Sequence, residues 1–296
     1  MTTSATNAGT ISINAGTLNV TNATITGGTV SLVGASTLNL NNGTVTGGTV
    51  TNSSTGTIRS FDGTNTLGGT VTNPAGGQIP INNFSVLVLT GGVGHSYLNA
   101  GNIGVNSTGN STTLRINGDV SLSGGGTVTL SGGNIVGTAS TNRLTNVDNT
   151  ISGTGNIGGN SMALTNQSII ANTSGTLTID PSDNTGVINS GTLRASNGGT
   201  LTLLGGTFDN TGGLVRVDSS VTASTVNVIA SAVTNGTVEL IGAGLGNLNL
   251  DSGTISGGTL TNNATGTIRS VNGTNTLGGT VSNPAGGQIP INNFSV

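Results

Sequence analysis

Residues 17–36, TLNVTNATITGGTVSLVGAS, are followed at once by a variant of themselves, residues 37–56, TLNLNNGTVTGGTVTNSSTG. Thr17-Leu18 aligns with Thr37-Leu38 at a displacement of twenty residues. Within each repeat, threonine alternates with leucine, isoleucine or valine, which is typical of a strand with one buried face. A two-residue alternation inside a twenty-residue period predicts an all-β parallel β-solenoid, with one coil per repeat.

The glycine pair Gly47-Gly48 between two such strands predicts a corner, since glycine reaches positive φ without steric cost. Stacking of the coils at ~4.8 Å places Leu18, Leu38 and Ile58 in one apolar column, and such columns would form the core.

Two further expectations concern the corners of the coils. Asn22 and Asn42 occupy equivalent corners, and we expect them to hydrogen-bond along the stack as an asparagine ladder. Phe84 and Phe294 both follow a Pro-Ile-Asn-Asn corner, and we expect them to fill the core of a wide coil.

A longer period encloses the short one. Residues 57–86, TIRSFDGTNTLGGTVTNPAGGQIPINNFSV, return 210 positions later as residues 267–296 with three substitutions in thirty positions. A weaker match upstream extends the duplicated block to residues 16–86 and 224–296. We therefore expect one solenoid over residues 1–296, with coils of 20–23 residues. Because the copy stops at the last residue, we expect either further coils in a longer parent protein or a next subunit stacked head to tail.

The composition restricts the class of protein. Charged residues are 5% of the chain, aromatic residues 2%, and glycine supplies 53 positions, which excludes an ordinary globular core. A hydrophobic content of 32% with a net charge of only -3 argues against disorder. The six basic residues are isolated arginines, which argues against nucleic-acid binding. With no cysteine and one histidine, neither a thiolate metal site nor a cofactor is predicted.

The first residues lack a basic stretch followed by an apolar run, and no segment has the ~18 apolar residues of a spanning helix. We therefore expect no membrane insertion, and a secretion signal that lies outside this sequence or an export route of another kind.

The middle of the chain keeps the same style of repetition. Its segments include Leu144-Thr145-Asn146, Ile151-Ser-Gly-Thr-Gly-Asn-Ile157, Leu164-Thr165-Asn166, Gly175-Thr-Leu-Thr-Ile-Asp180 and Asn189-Ser-Gly-Thr-Leu193. In these segments the chain resembles bacterial large repetitive surface proteins of the β-strand-repeat class, which are similar in style to filamentous-haemagglutinin-like adhesins and autotransporter passengers. The resemblance implies a right-handed parallel β-helix, export to the cell surface, and a role as fibre, stalk or adhesin. It carries no catalytic motif.

Charged residues of both signs gather between Asp180 and Asp218, with Asp183, Arg194 and Arg216 between them. Carboxylates about 5–9.5 Å apart can divide the roles of glycoside hydrolysis. The segment Asp180-Pro181-Ser182-Asp183 is equally typical of a turn. We predict no enzymatic activity, and we regard Asp180, Asp183, Arg194 and Arg216 as candidate contact residues.

His95 and Tyr97 are the only histidine and tyrosine of the chain, two residues apart. On a strand they would share one face, and a single histidine without partners predicts no metal site. We expect a loop or lateral-contact segment and regard both residues as candidate contact residues, with Tyr97 as an anchor.

Thr-x-Thr pairs such as Thr44/Thr46 and Thr49/Thr51 offer a further alternative, because flat threonine arrays on β-solenoids can order water and bind ice. The middle coils lose the motif. Threonine as a β-favouring outward residue is the simpler interpretation. Calcium-binding coils are not predicted, since nine acidic residues cannot supply the oxygen ligands of many ions.

The sequence therefore predicts a segment or subunit of an extracellular bacterial filament or stalk, at the cell surface or secreted. Its expected partner is itself, in a head-to-tail or lateral homopolymer. The alternative is an adhesin that binds a protein or a cell-surface or matrix glycan.

Overall fold

The computed structural model describes residues 1–292, and these residues form β-strands and turns with no helix among them. The strands are parallel and stack in about 13 turns of a β-solenoid, which confirms the predicted fold class. The right-handed sense implied by the resemblance stays a prediction. Contacts along the chain define two compact units, Met1–Ile151 and Ser152–Val296.

The first unit consists of short strands separated by turns. They are β1 (Ala5–Thr6), β2 (Thr10–Ile13), β3 (Thr17–Thr21), β4 (Thr24–Thr26), β5 (Thr29–Leu32), β6 (Thr37–Asn41), β7 (Thr44–Thr51), β8 (Thr57–Asn73), β9 (Gln78–Ile81), β10 (Ser85–Thr90), β11 (Ser96–Asn99), β12 (Asn102–Asn106), β13 (Thr113–Asn117), β14 (Val120–Ser123), β15 (Thr127–Gly137) and β16 (Arg143–Asn146).

The chain leaves the first unit within β17 (Thr150–Gly158), and the second unit continues in the same style. Its strands are β18 (Ala163–Asn166), β19 (Ile169–Asn172), β20 (Thr176–Ile179), β21 (Val187–Asn189), β22 (Thr192–Ser196), β23 (Thr200–Leu204), β24 (Thr207–Asp209), β25 (Leu214–Asp218), β26 (Thr225–Ile229), β27 (Ala232–Thr234), β28 (Thr237–Ile241), β29 (Asn247–Asp251), β30 (Thr254–Ser256), β31 (Thr259–Thr261), β32 (Thr267–Asn272), β33 (Thr276–Leu277) and β34 (Thr280–Ser282).

The core consists of the predicted apolar columns. Leu38 pairs in register with Leu18 on one side and with Ile58 on the other. Leu38 and Ile58 are fully buried. Burial of each such side chain contributes about 1.5–3 kcal/mol, and the alternation of β6 directs its threonine and asparagines outward.

The corner at Gly47-Gly48 is also confirmed. Gly47 has a φ of 72°, and the register of β7 against β8 shifts between Val45 and Gly48. A Cβ atom on Gly48 would lie 2.1 Å from the carbonyl oxygen of Gly28 in the coil below. Backbone therefore packs directly on backbone at this corner, and no side chain fits.

The coil lengths vary more than predicted. Nineteen residues separate the paired residues Thr10 and Thr29, whereas 27 separate Val86 from Thr113. The expectation of 20–23 residues is therefore wrong for the wider coils. Loops such as residues 91–95 and 107–112 hold the extra residues outside the strands, so the strands keep their register.

A buried asparagine ladder runs through the first unit. Asn52 Nδ2 donates to Asn73 Oδ1 at 2.7 Å, and Asn73 Nδ2 donates to Asn99 Oδ1 at 2.7 Å. Asn99 Nδ2 in turn donates to Asn149 Oδ1 at 2.8 Å. Asn52 and Asn73 also donate to the carbonyl oxygens of Gly56 and Gly77 in their own corners. Asn99 donates to the carbonyl oxygen of Thr127 in the next coil, so these buried amides are satisfied.

The ladder uses other asparagines than those predicted. Asn22 and Asn42 adopt φ values of 48° and 47° at their corners, and Asn42 Oδ1 accepts a hydrogen bond from the Thr64 N–H at 3.1 Å. They serve as left-handed turn residues, which asparagine tolerates better than most side chains. In the second unit, Asn166, Asn189 and Asn210 form an equivalent buried ladder at 2.8 and 2.7 Å.

Candidate functional site

The loop between β10 and β11 folds back on itself through Tyr97. The Tyr97 hydroxyl accepts a hydrogen bond from the Thr90 N–H at 2.9 Å and lies 2.8 Å from the carbonyl oxygens of both Leu67 and Thr90. The side chain is 5% exposed. Burial raises the pKa of Tyr97 to about 12, against the smaller opposing effect of the hydrogen bonds with Thr90.

Tyr97 therefore closes the loop from inside, and a partner could not reach its ring. The expectation that Tyr97 is a contact anchor is corrected, because β11 directs its side chain into the core. The residue that the loop exposes instead is Val93, which is fully accessible.

His95 lies outside β11, half-buried in the same loop. Its Nδ1 accepts a hydrogen bond from the Gly69 N–H at 2.8 Å and lies 3.0 Å from Thr90 Oγ1. Since His95 precedes the strand and Tyr97 points inward, the two residues do not share one face as expected. His95 ties the loop to the neighbouring coil.

Asp180 and Asp183 lie in the turn after β20. Asn160 clamps this turn: its Oδ1 accepts from the Asp183 N–H at 3.1 Å, and its Nδ2 donates to Asp183 Oδ2 at 3.3 Å. A Cβ atom on Gly205 would lie 3.2 Å from Asp183 Oδ1 and 3.4 Å from Asp180 Oδ1. Partial burial, and then the charge of Asp183, raises the pKa of Asp180, while the Asn160 N–H opposes the shift.

Arg194 and Arg216 lie elsewhere, on the outward face of β22 and β25. They pair in register, and Arg216 pairs in turn with Glu239 of β28. Arg216 Nε and Nη2 both lie 2.6 Å from Glu239 Oε1. The structure therefore separates these charged residues into an aspartate turn and an arginine column.

The arginine column also acts on Asp218. Hydrogen bonding from the Ser220 hydroxyl is the main cause that lowers the pKa of Asp218, and the charges of Arg194 and Arg216 add to it. Sequence reasoning missed Glu239 as the partner of Arg216. The spacing in the sequence indicates the pairing, because 23 positions separate Arg216 from Glu239, which is close to the length of one coil.

Two exposed aromatic rings lie at one corner of the first unit. Phe61 is 48% exposed and Phe84 is 66% exposed. Their neighbours Ser60 and Ser85 are buried, and the two hydroxyl oxygens lie 2.6 Å apart. The phenylalanines therefore lie on adjacent coils, each one residue from this contact.

The expectation that Phe84 fills the core is wrong. Phe84 lies within the turn closed by the hydrogen bond from the Ser85 N–H to the Asn82 carbonyl at 3.0 Å. Its φ of 67° lies in the left-handed region, which turns the side chain outward while Ser85 takes the buried position. Phe294, which carries the same expectation, lies outside the described residues.

Threonine and serine columns cover part of the first unit. Thr10, Thr29, Thr49 and Thr70 follow one another in register on four coils, and the next residue in the column is Ser96. The neighbouring column passes through Thr72 and reaches Leu98, which is 48% exposed. The array is regular but short, and the ice-binding hypothesis stays a prediction.

The duplicated coil is covered in one copy and open in the other. In the first copy, Leu67, Ile79 and Ile81 are buried, because the coil that contains Leu89, Ile103 and Val105 pairs with them. In the second copy, the equivalent Ile289 and Ile291 are 40% and 70% exposed. They line an open hollow together with Leu250, Ile268, Ser270, Asn275 and Leu277.

No family model, no curated protein and no solved structure matches this chain. Residues 1–292 contain no cluster of three or more histidine, cysteine, aspartate or glutamate side chains that could hold a metal ion. The same residues include no helix of the length and apolarity needed to cross a bilayer.

Proposed function

We propose that this chain is a structural segment of an extracellular filament or stalk, built by stacking β-solenoid coils. The observation that supports the proposal is the in-register stacking of the coils, in which Leu38 pairs with Leu18 of one neighbouring coil and with Ile58 of the next. Ile81 is fully buried where Val105 of the next coil pairs with it, whereas the equivalent Ile291 is 70% exposed. An apolar coil face of this kind is complementary to another coil of the same fold.

The composition supports the same proposal. The chain has no cysteine and six arginines as its only basic residues, so it needs no oxidising compartment to fold and offers few trypsin sites. Its charged content of 5% leaves an uncharged surface of threonine, serine and asparagine. We therefore place it outside a bacterial cell, with itself as the principal partner.

The test is the association of the purified chain. Analytical ultracentrifugation and electron microscopy over a range of concentrations should reveal end-to-end assemblies with a coil spacing of ~4.8 Å. Ile291→Asp should reduce the association, because it places a charge on the open coil without removing a buried contact. Val221→Asp is the matched control, since Val221 is 78% exposed in a loop away from this coil.

A chain that stays monomeric at every concentration, with Ile291→Asp indistinguishable from wild type, would contradict assembly between copies. An assembly that persists unchanged in Ile291→Asp would show that another surface holds the copies together.

A further inference from the structure

We infer that Phe61 and Phe84 form a binding site for a neutral carbohydrate chain, separate from the stacking surface of the proposed filament. Two of the five phenylalanine and tyrosine side chains in this protein are exposed at the same corner, on adjacent coils. Aromatic side chains normally contribute much of the apolar area that a protein buries. This chain contains few of them, so the exposure of two at one corner suggests a function.

The corner does not need the rings for its own stability. A buried network holds it from inside: Asn65 Nδ2 donates to Ser60 Oγ at 2.9 Å, and Asn65 Oδ1 accepts from the Gly43 N–H at 3.0 Å. Asn65 and Ser85 are fully buried, and Ser60 is 1% exposed.

The second copy of this corner forms the same hydrogen-bond network without the ring of Phe61. Asn275 Nδ2 donates to Ser270 Oγ at 2.8 Å, and Asn275 Oδ1 accepts from the Gly253 N–H at 2.8 Å. The position of Phe61 is taken there by Val271. The scaffold therefore forms with or without a phenylalanine, and Phe61 is an addition to it rather than part of it.

The backbone at Phe84 gives an independent observation. Its φ of 67° is unfavourable for a bulky side chain, whereas the other left-handed residues outside glycine are asparagines, one alanine and one serine. Strain of this kind at an exposed aromatic ring is a feature that recurs at ligand-binding positions. Here it presents the ring to solvent on the coil next to that of Phe61.

The size of the patch favours a small repeating ligand over a protein. The exposed fractions of the two rings, 48% and 66%, correspond to roughly 170–290 Å² of surface. A stable protein interface needs about 800 Å² on each partner. The chain neighbours of the two rings, Asp62 and Asn83, are polar and do not enlarge the apolar area.

The chemistry of those neighbours fits the hydroxyl groups of a sugar. Asn83 Oδ1 is occupied by the N–H groups of Thr108 and Asn110, at 2.9 and 3.3 Å. Among the described residues, its Nδ2 has no protein acceptor and is available to donate. Asp62 Oδ1 accepts from the Gly63 N–H at 2.8 Å, and its second oxygen can accept. An aromatic surface flanked by amide and carboxylate groups recognises the C–H face and the hydroxyls of a neutral sugar ring.

Affinity electrophoresis tests this inference with the purified chain, in native gels cast with one neutral polysaccharide each: a soluble β-glucan, mannan and dextran. An alginate gel provides the anionic comparison. We expect retardation in at least one neutral gel and little in alginate, because Asp62 repels carboxylates. Phe84→Ala and Phe61→Val should each weaken the binding by about tenfold, and Phe84→Tyr should retain it.

Val93→Ala is the control, since Val93 is a fully exposed apolar residue on another loop, and it should bind as wild type does. Phe61→Val copies the residue that the second corner already carries, so it should fold. Circular dichroism checks the fold of every variant, and recovery of binding in Phe84→Tyr excludes a folding defect at that position.

Absence of retardation for wild type in all neutral gels would overturn the inference, as would binding that both phenylalanine variants retain. Stronger retardation in alginate would overturn the choice of a neutral ligand. If Phe84→Ala instead lowers self-association in the ultracentrifuge, the rings form a contact between copies and not a sugar site. The assembly sensitive to Ile291→Asp should be unchanged in Phe84→Ala, which separates this test from that of the proposed function.

Discussion

The side chain of Asn73 bonds to the coils on both sides of it: its Oδ1 accepts from Asn52 Nδ2, and its Nδ2 donates to Asn99 Oδ1, both at 2.7 Å. Asn73 is 1% exposed, so these bonds replace contacts with water that the buried amides cannot make. The ladder adds a row of hydrogen-bonded amides to a core whose apolar side chains are mostly leucine, isoleucine and valine.

Asn73→Ala should lower the free energy of unfolding by about 1–3 kcal/mol, because it leaves the buried oxygen of Asn99 without this donor. Urea unfolding followed by circular dichroism measures the change. Asn39→Ala is the control: Asn39 also bonds a neighbouring coil, to Asn19 Oδ1 at 2.9 Å, but on the outward face and only half-buried. Its cost should stay within about 0.5 kcal/mol. Equal costs at the two positions would contradict the special role of the buried ladder.

Gly48→Ala should destabilise the fold by about 3 kcal/mol or more, since its Cβ would lie 2.1 Å from the Gly28 carbonyl oxygen and backbone cannot move aside. Gly9→Ala is the matched variant, because a Cβ atom there meets nothing within 4 Å. Thermal unfolding of both variants makes the comparison. A Gly48→Ala protein as stable as Gly9→Ala would show that the coils are not packed backbone to backbone at this corner.

Tyr97 should make the fold sensitive to alkali. The pKa of Tyr97 is about 12 in the folded chain, against an ordinary value of 10.0. Between these values the unfolded chain releases the phenolic proton and the folded chain keeps it, so stability falls as the pH rises from 10 to 12. The loss should reach about 3 kcal/mol by the upper end of that range.

The measurement is direct, because the chain contains one tyrosine and its phenolate absorbance reports this residue alone. Tyr97→Phe should be less stable near neutral pH, through the lost hydrogen bond of Thr90, yet should lack the alkaline loss. Ionisation near pH 10 in a chain that still has its folded circular dichroism spectrum would contradict the burial of Tyr97.

The ion pair of Arg216 and Glu239 should have a small, salt-dependent effect. The side chains are 31% and 21% exposed, so solvent screens much of their attraction. A double-mutant cycle with Arg216→Ala and Glu239→Ala should give a coupling of about 0.5–1 kcal/mol at low salt. The coupling should shrink in 1 M salt, where the Debye length is about 3 Å. A coupling that salt leaves unchanged would mean that packing, not charge, joins the pair.

The sequence allowed prediction of those parts of the fold that depend on repetition. Leu18, Leu38 and Ile58 lie in register because the repeat spacing itself aligns them, and Gly47-Gly48 forms a corner because little else could. Repetition alone did not predict which asparagines form the buried ladder. Asn22 and Asn52 both follow a strand, and only the local φ decides whether the side chain turns outward or remains in the core.

The candidate site was less accessible to prediction for the same reason. Phe84 belongs to an apolar run, Phe84-Ser85-Val86-Leu87, and alternation alone does not reveal that Ser85 takes the buried position. Tyr97 looked unusual because it is the only tyrosine, yet its hydroxyl is satisfied by backbone groups from Leu67 and Thr90. The sequence drew attention to Tyr97 because it is the only tyrosine, and the structure shows that its buried hydroxyl holds the loop in place.

The unequal coils have a mechanical consequence. The backbone of each coil is bonded to that of the coil before and the coil after it, as Thr49 is to Thr29 and Thr70. Under an applied pulling force, a coil with only one such neighbour should detach first, and the next coil then takes the load. Coils of 19 to 27 residues would each release roughly 65–95 Å of extended chain. A solenoid that unfolds in this way would absorb energy in many small, separate ruptures and keep the remaining coils intact.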